Sequence, residues 1–293
     1  MNAITICTRV AQEPRHKQWQ YPVFPVCYCY SRPARQLLTR MKTIDLNCDM
    51  GEAFGAWTMG DDDTLLDHVT SANIACGYHA GDPHTMHRTV EIALKKGVAI
   101  GAHPSLPDLQ GFGRRSMKIS AEETYDMVMY QIGALSAFAR ACGGKLAHVK
   151  AHGALYNMAA KDATIAQAIA RAVRDFDSQL VLFGLAGSEQ IRAGEEAGLK
   201  TANEVFADRT YQSNGSLTPR NEPHAMVRDV QSSIMRVKRM VEEGKVQSND
   251  GADVIVKADT LCIHGDEPGA VEFASKIRRM LADAGVSVTP VVR

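Results

Sequence analysis

The feature that most constrains how this chain can fold is a repeated order. A short β-rich apolar run is followed by a longer helical pattern, again and again, with ionisable residues where the runs end. That alternation builds a parallel sheet covered by helices. The runs lie at 43–48, 71–76, 97–102, 146–151, 180–185, 200–206, 259–264 and 286–291. Seven or eight such strands predict closure into a (β/α) barrel, an α/β fold. The intervening helices have readable boundaries: Asp82-Pro83 supplies a cap and a first-turn proline, and Ser120 with Glu123 forms a capping box. The helix opened by Ser120 should run over 121–142 and stop at Gly143-Gly144.

In a closed parallel barrel the C-terminal strand ends surround one mouth, where the functional site sits. Asp49 and Glu52, His79, His103, Lys150 with His152, Glu204 with Asp208 and Arg209, and His264 with Asp266 all stand at or just beyond such ends. Residues two apart on a strand point the same way. Asp45, Asn47 and Asp49 therefore share a face, as do His148, Lys150 and His152, and as do His264 and Asp266. Polar side chains turned into a covered barrel need partners or a ligand.

Composition removes several classes of function. Formal net charge is zero, with lysines and arginines scattered, so no overall field points to nucleic acid or an anionic membrane. No run reaches the ~18 apolar residues of a membrane-spanning helix. The seven cysteines form an odd set without CxxC spacing, which fits a reducing cytoplasm. Cys48, Cys76 and Cys262 sit in apolar runs and read as small buried hydrophobes. Residues 1–40 differ from the rest: six basic residues, one acid and no apolar period. They are expected to be a poorly ordered or spurious extension, leaving 41–293 as one barrel domain with 27 basic and 32 acidic residues.

The same strand ends carry a family resemblance. Asp45-Leu46-Asn47-Cys48-Asp49-Met50-Gly51-Glu52 resembles the opening motif of the LamB/YcsF family, and Ala72-Asn73-Ile74-Ala75-Cys76-Gly77-Tyr78-His79-Ala80-Gly81-Asp82-Pro83 its most distinctive block. Ile100-Gly101-Ala102-His103-Pro104-Ser105, Gly111-Phe112-Gly113-Arg114-Arg115 and Val149-Lys150-Ala151-His152-Gly153 are similar to later blocks. So are Glu204-Val205-Phe206-Ala207-Asp208-Arg209 and Ile263-His264-Gly265-Asp266. The resemblance implies a barrel of the glycoside hydrolase/deacetylase kind. It also implies opening of 5-oxo-L-proline to L-glutamate, coupled to ATP hydrolysis (with Mg as the nucleotide's ion), in a complex with B and C subunits.

Opening a lactam requires an activated electrophile, a nucleophilic water and a proton for the departing nitrogen. Asp49, Glu52, His79, Lys150, His152 and Asp208 are the expected catalytic set. Asn47, Asn73, His103, Arg114, Glu204, Arg209, His264 and Asp266 are expected to bind substrate or phosphate. Gly143-Gly144-Lys145-Leu146 lacks the earlier glycine and the following hydroxyl of a P-loop, so nucleotide binds by another device or on a partner protein. Asp49, His79 and His84 would make an Asp-His-His set suited to a divalent metal. Two alternatives are a metal-dependent amidohydrolase or deacetylase acting without ATP, and a non-catalytic subunit that presents substrate.

Overall fold

The computed structural model describes residues 42–263 and 269–292. The expected extension, and His264 and Asp266, lie outside those residues. In chain order the elements are β1 (Thr43–Met50), α1 (Asp62–Leu65), β2 (Ser71–Ala75), α2 (Pro83–Lys95), β3 (Ala99–His103) and α3 (Ala121–Ala141). Next come β4 (Leu146–Lys150), α4 (Gly153–Ala159), α5 (Ala163–Phe176), β5 (Val181–Leu185), α6 (Glu189–Glu196) and β6 (Lys200–Phe206). The chain continues through α7 (Val230–Glu243), β7 (Lys245–Gln247), β8 (Asp253–Ile255), β9 (Thr260–Ile263), α8 (Ala270–Asp283) and β10 (Ser287–Val288).

Seven parallel strands close the barrel in the order β1-β2-β3-β4-β5-β6-β9, with β9 returning to β1. The run at 286–291 is not an eighth stave. Only Ser287 and Val288 pair, against Thr43 and Ile44, on the length of the β1 edge that β9 leaves open by starting opposite Asp45. Pro290, which has no N–H to give a ladder, stands one residue further on, after Thr289 has donated to the Ile44 carbonyl. β7 and β8 form a separate antiparallel hairpin.

Both faces of the staves are buried, and period two sorts them. On β1, Ile44, Leu46, Cys48 and Met50 join the large cluster packed with helix side chains, whereas Asp45 and Asn47 alternate with them and are equally buried. Inside the barrel, Val181, Phe183 and Ala202 make a small apolar cluster. The His148 ring stacks on Phe183 at 4.2 Å. Gly101 makes room for that ring: a Cβ there would lie 2.0 Å from His148 Nε2. The helix boundaries follow the capping logic. Asp82 accepts from the backbone N–H of His84 and Thr85, Pro83 opens α2, and Ser120 and Glu123 complete a reciprocal box at α3. Lys145 stands before the first residue of β4, at the opposite end of that strand from Lys150.

Candidate active site

Beneath the mouth lies a buried polar layer centred on Lys150. Its Nζ reaches Glu204 Oε1 at 2.8 Å, Asp49 Oδ1 at 2.9 Å, and Asn47 Oδ1 and Cys262 Sγ at 3.1 Å each. Burial pulls the ammonium down, but the carboxylates of Asp49 and Glu204 outweigh it, so Lys150 is held above the ordinary lysine range. Cys262 is thus more than apolar filling, because its sulfur accepts an ammonium hydrogen. The two asparagines have their polar atoms committed. Asn47 Nδ2 donates to Glu204 Oε1 (3.0 Å) and Thr260 Oγ1 (2.7 Å), and Asn73 Nδ2 donates to Asn47 Oδ1 (2.7 Å) and Asp49 Oδ1 (2.8 Å). Asn73 Oδ1 in turn faces His148 Nε2 at 2.7 Å. Shared bonds of this number fix each rotamer.

Above this layer three histidines converge. His103 Nδ1 lies 2.7 Å from the Lys150 carbonyl, and His152 Nε2 lies 2.9 Å from the Phe112 carbonyl. Carbonyls only accept, so those two ring nitrogens carry hydrogen. The remaining nitrogens, His103 Nε2 and His152 Nδ1, face each other at 2.9 Å, with Asp49 Oδ2 3.2 Å from His103 Nε2. His79 stacks flat on His152, ring centroids 3.8 Å apart, and its Nε2 meets Glu52 Oε1 at 3.1 Å. Burial, reinforced by the neighbouring imidazoles, holds His79 and His152 well below the usual histidine range, so both are neutral at pH 7.

The backbone is shaped to permit this. His152 is the N-cap of α4 but makes no side-chain cap bond, since its ring is committed to Phe112 and His103. Phe112 sits at φ 55°, a conformation unfavourable for a bulky residue, which places its carbonyl toward His152. Gly113 follows at φ +63°, where a Cβ would lie 2.2 Å from Ser105 Oγ and 2.8 Å from His79 Cβ.

A cavity of about 640 Å³ opens on this group. Asp49, Glu52, His103, Lys150 and His152 line it, and Arg114, Lys161 and Arg209 bring positive charge to its wall. Asn47, Asn73, His79 and Glu204 lie at 0% exposure, outside the cavity lining, so they support the surface instead of forming it. Asp208 is placed elsewhere, on a second cavity with Met226, Val227 and Phe273. His84 is exposed on α2 and is not among the groups of potential metal ligands that the described residues bring together. Sequence reading missed the Phe112 carbonyl, Lys161 and the loop from Asn214 to Asn221, all of which lines the cavity. Asn214-Gly215 and Pro219 mark that loop as a turn, but nothing in its text aims it at the mouth.

The model of the LamB/YcsF family matches residues 44–293, a span that takes in all of these positions. The chain belongs to the LamB/YcsF family. Among its LamB/YcsF relatives, a Brevibacillus brevis protein named as the A subunit of 5-oxoprolinase is 59% identical over 85% of this chain and 98% of its own length. A Bacillus subtilis protein of the same name is 59% identical over 86% and 98%. The crystal structure of a lactam utilization protein from Thermus thermophilus superposes with a TM-score of 0.80, at 48% identity, over 84% of this chain and 99% of that one. A putative cellobiose-phosphate cleavage protein from Enterococcus faecalis, at 16% identity and TM-score 0.54, over 85% and 97%, shares the fold.

Proposed function

We propose that this chain is the A subunit of an ATP-dependent 5-oxoprolinase, carrying on residues 41–293 the site at which the lactam of 5-oxo-L-proline is opened to L-glutamate. The observation that supports this most is one cavity combining carboxylates, the neutral imidazole of His152 and cationic side chains, in a chain whose close relatives bear that name. The substrate carboxylate, and a phosphate on the activated lactam oxygen, are anions suited to Arg114 and Lys161. Asp49, in the cavity wall, takes a proton from the attacking water. The water oxygen bonds to the lactam carbon, the C–N bond breaks with that proton passing to the departing nitrogen, and a second water releases inorganic phosphate from the resulting carboxyl phosphate to leave L-glutamate. Lys150 holds Asp49 in place and sets positive charge beside the forming oxyanion.

In this reading ATP and its Mg ion belong to the complex with the B and C subunits, and the protein works in the cytoplasm. Among the described residues no helix is long and apolar enough to cross a membrane. Reconstitution with B and C subunits, following glutamate release from 5-oxoproline with and without ATP, tests the proposal. ATP-dependent glutamate is the expected result. Release by this chain alone without nucleotide points to the amidohydrolase alternative, and no release with verified partners refutes the assignment.

A further inference from the structure

The pairing of His103 Nε2 with His152 Nδ1 demands something positive between them. Each ring has its outer nitrogen committed as a donor to a backbone carbonyl, so the two inner nitrogens, 2.9 Å apart, need a proton or a cation between them. Outer N–H groups anchored on carbonyls are the usual support of metal-ligating imidazoles, because they fix the tautomer and the ring direction. Glu52 Oε1 stands 3.6 Å from His152 Nδ1, and one ligand atom from each of Glu52, His79, His103 and His152 lies within 4.8 Å of all the others. Two nitrogens each about 2.0–2.1 Å from a zinc ion are roughly 2.9–3.3 Å apart, the spacing already present.

We infer that this wall of the cavity binds one divalent transition-metal ion of the zinc class through His103 Nε2, His152 Nδ1 and the carboxylate of Glu52. The set differs from the Asp49, His79 and His84 that sequence spacing offered. His84 is out of reach, and the His79 ring lies within 6° of parallel to His152. Two stacked rings cannot both aim in-plane lone pairs at one ion, so His79 instead holds Glu52. Two imidazoles and one carboxylate leave further positions open toward the cavity, and that donor set favours zinc or its first-row neighbours over magnesium or calcium.

The test is binding of the ion by the full chain alone, a readout independent of 5-oxoprolinase activity. Chelator-treated protein is titrated with Zn²⁺ by calorimetry and with Co²⁺ by visible absorption. One equivalent is expected, with the d–d bands of a four- or five-coordinate site. His103→Gln and His152→Gln should each weaken binding at least ~100-fold, since each removes a direct ligand. Should either variant fail to fold, Glu52→Gln, in the cavity wall, carries the same expectation. His87→Ala is the control, removing a separate surface group formed with Glu91 and Cys142. Parent protein that takes up no ion at millimolar Zn²⁺ overturns the inference and leaves a shared proton between the rings. Binding that survives the ligand variants but is lost in His87→Ala overturns it equally.

Discussion

Lys150 Nζ stands 2.8 Å from Glu204 Oε1, and the two side chains are only 3% and 0% exposed. Removing one partner of such a pair strands the other charge in the interior, at a cost of about 3–5 kcal/mol. Lys150→Met is therefore expected to lower unfolding free energy by that amount in urea titration, and to reduce turnover in the reconstituted complex at least ~100-fold. Adding Glu204→Gln should recover part of the stability without recovering turnover. A Lys150→Met protein as stable as its parent contradicts the pairing.

His148 gives a pH dependence with a defined sign. Burial, with the charge of Lys150 acting in the same direction and Asp49 opposing, pulls it down to about 3. In the unfolded chain an imidazole titrates near ~6.5. Between those values the unfolded state binds the extra proton, so the stability linked to this group is complete above pH ~6.5 and is lost as pH falls toward 3. The slope per group is about 1.4 kcal/mol per pH unit. Unfolding of parent and His148→Gln at several pH values below 6 should show the variant less pH-sensitive by roughly that slope. Parallel curves would mean that His148 titrates as in solution.

Arg209 lines the cavity, but its guanidinium is committed to the chain. Nη2 donates to the Thr218 carbonyl at 2.6 Å and Nε to that of Ala225 at 3.4 Å, and burial lowers its pKa to about 10. It therefore ties down the 210–226 segment that borders the cavity. A lysine cannot make both contacts. Arg209→Lys is expected to raise amide exchange in this segment about tenfold or more, the scale of one lost hydrogen bond to a charged group. Unchanged exchange would return Arg209 to a purely ligand-facing role.

What the sequence by itself determined is the set of groups presented to the interior. The alternation of runs and helices makes a parallel barrel, and period two puts Asn47 with Asp49, and His148 with Lys150 and His152, on the inner face before any contact is known. Capping at Asp82 and Ser120 is local chemistry and was legible for the same reason. Contacts between distant segments were decided only by the tertiary structure. Asn47 meets Glu204 across 157 residues, and Lys150 meets Asp49 across 101, because strand register and closure bring them together. Closure at seven staves depends on where β9 begins along β1, which no local pattern states. The same holds for the divergence of neighbours. Asp208 turns to a second cavity while Arg209 borders the first, and His84 stays on a helix surface while His103 enters the cluster. Residue type and spacing specify what a segment can offer. Which offers meet depends on packing over the whole barrel, where each buried polar group must find a partner or bear the cost of lacking one.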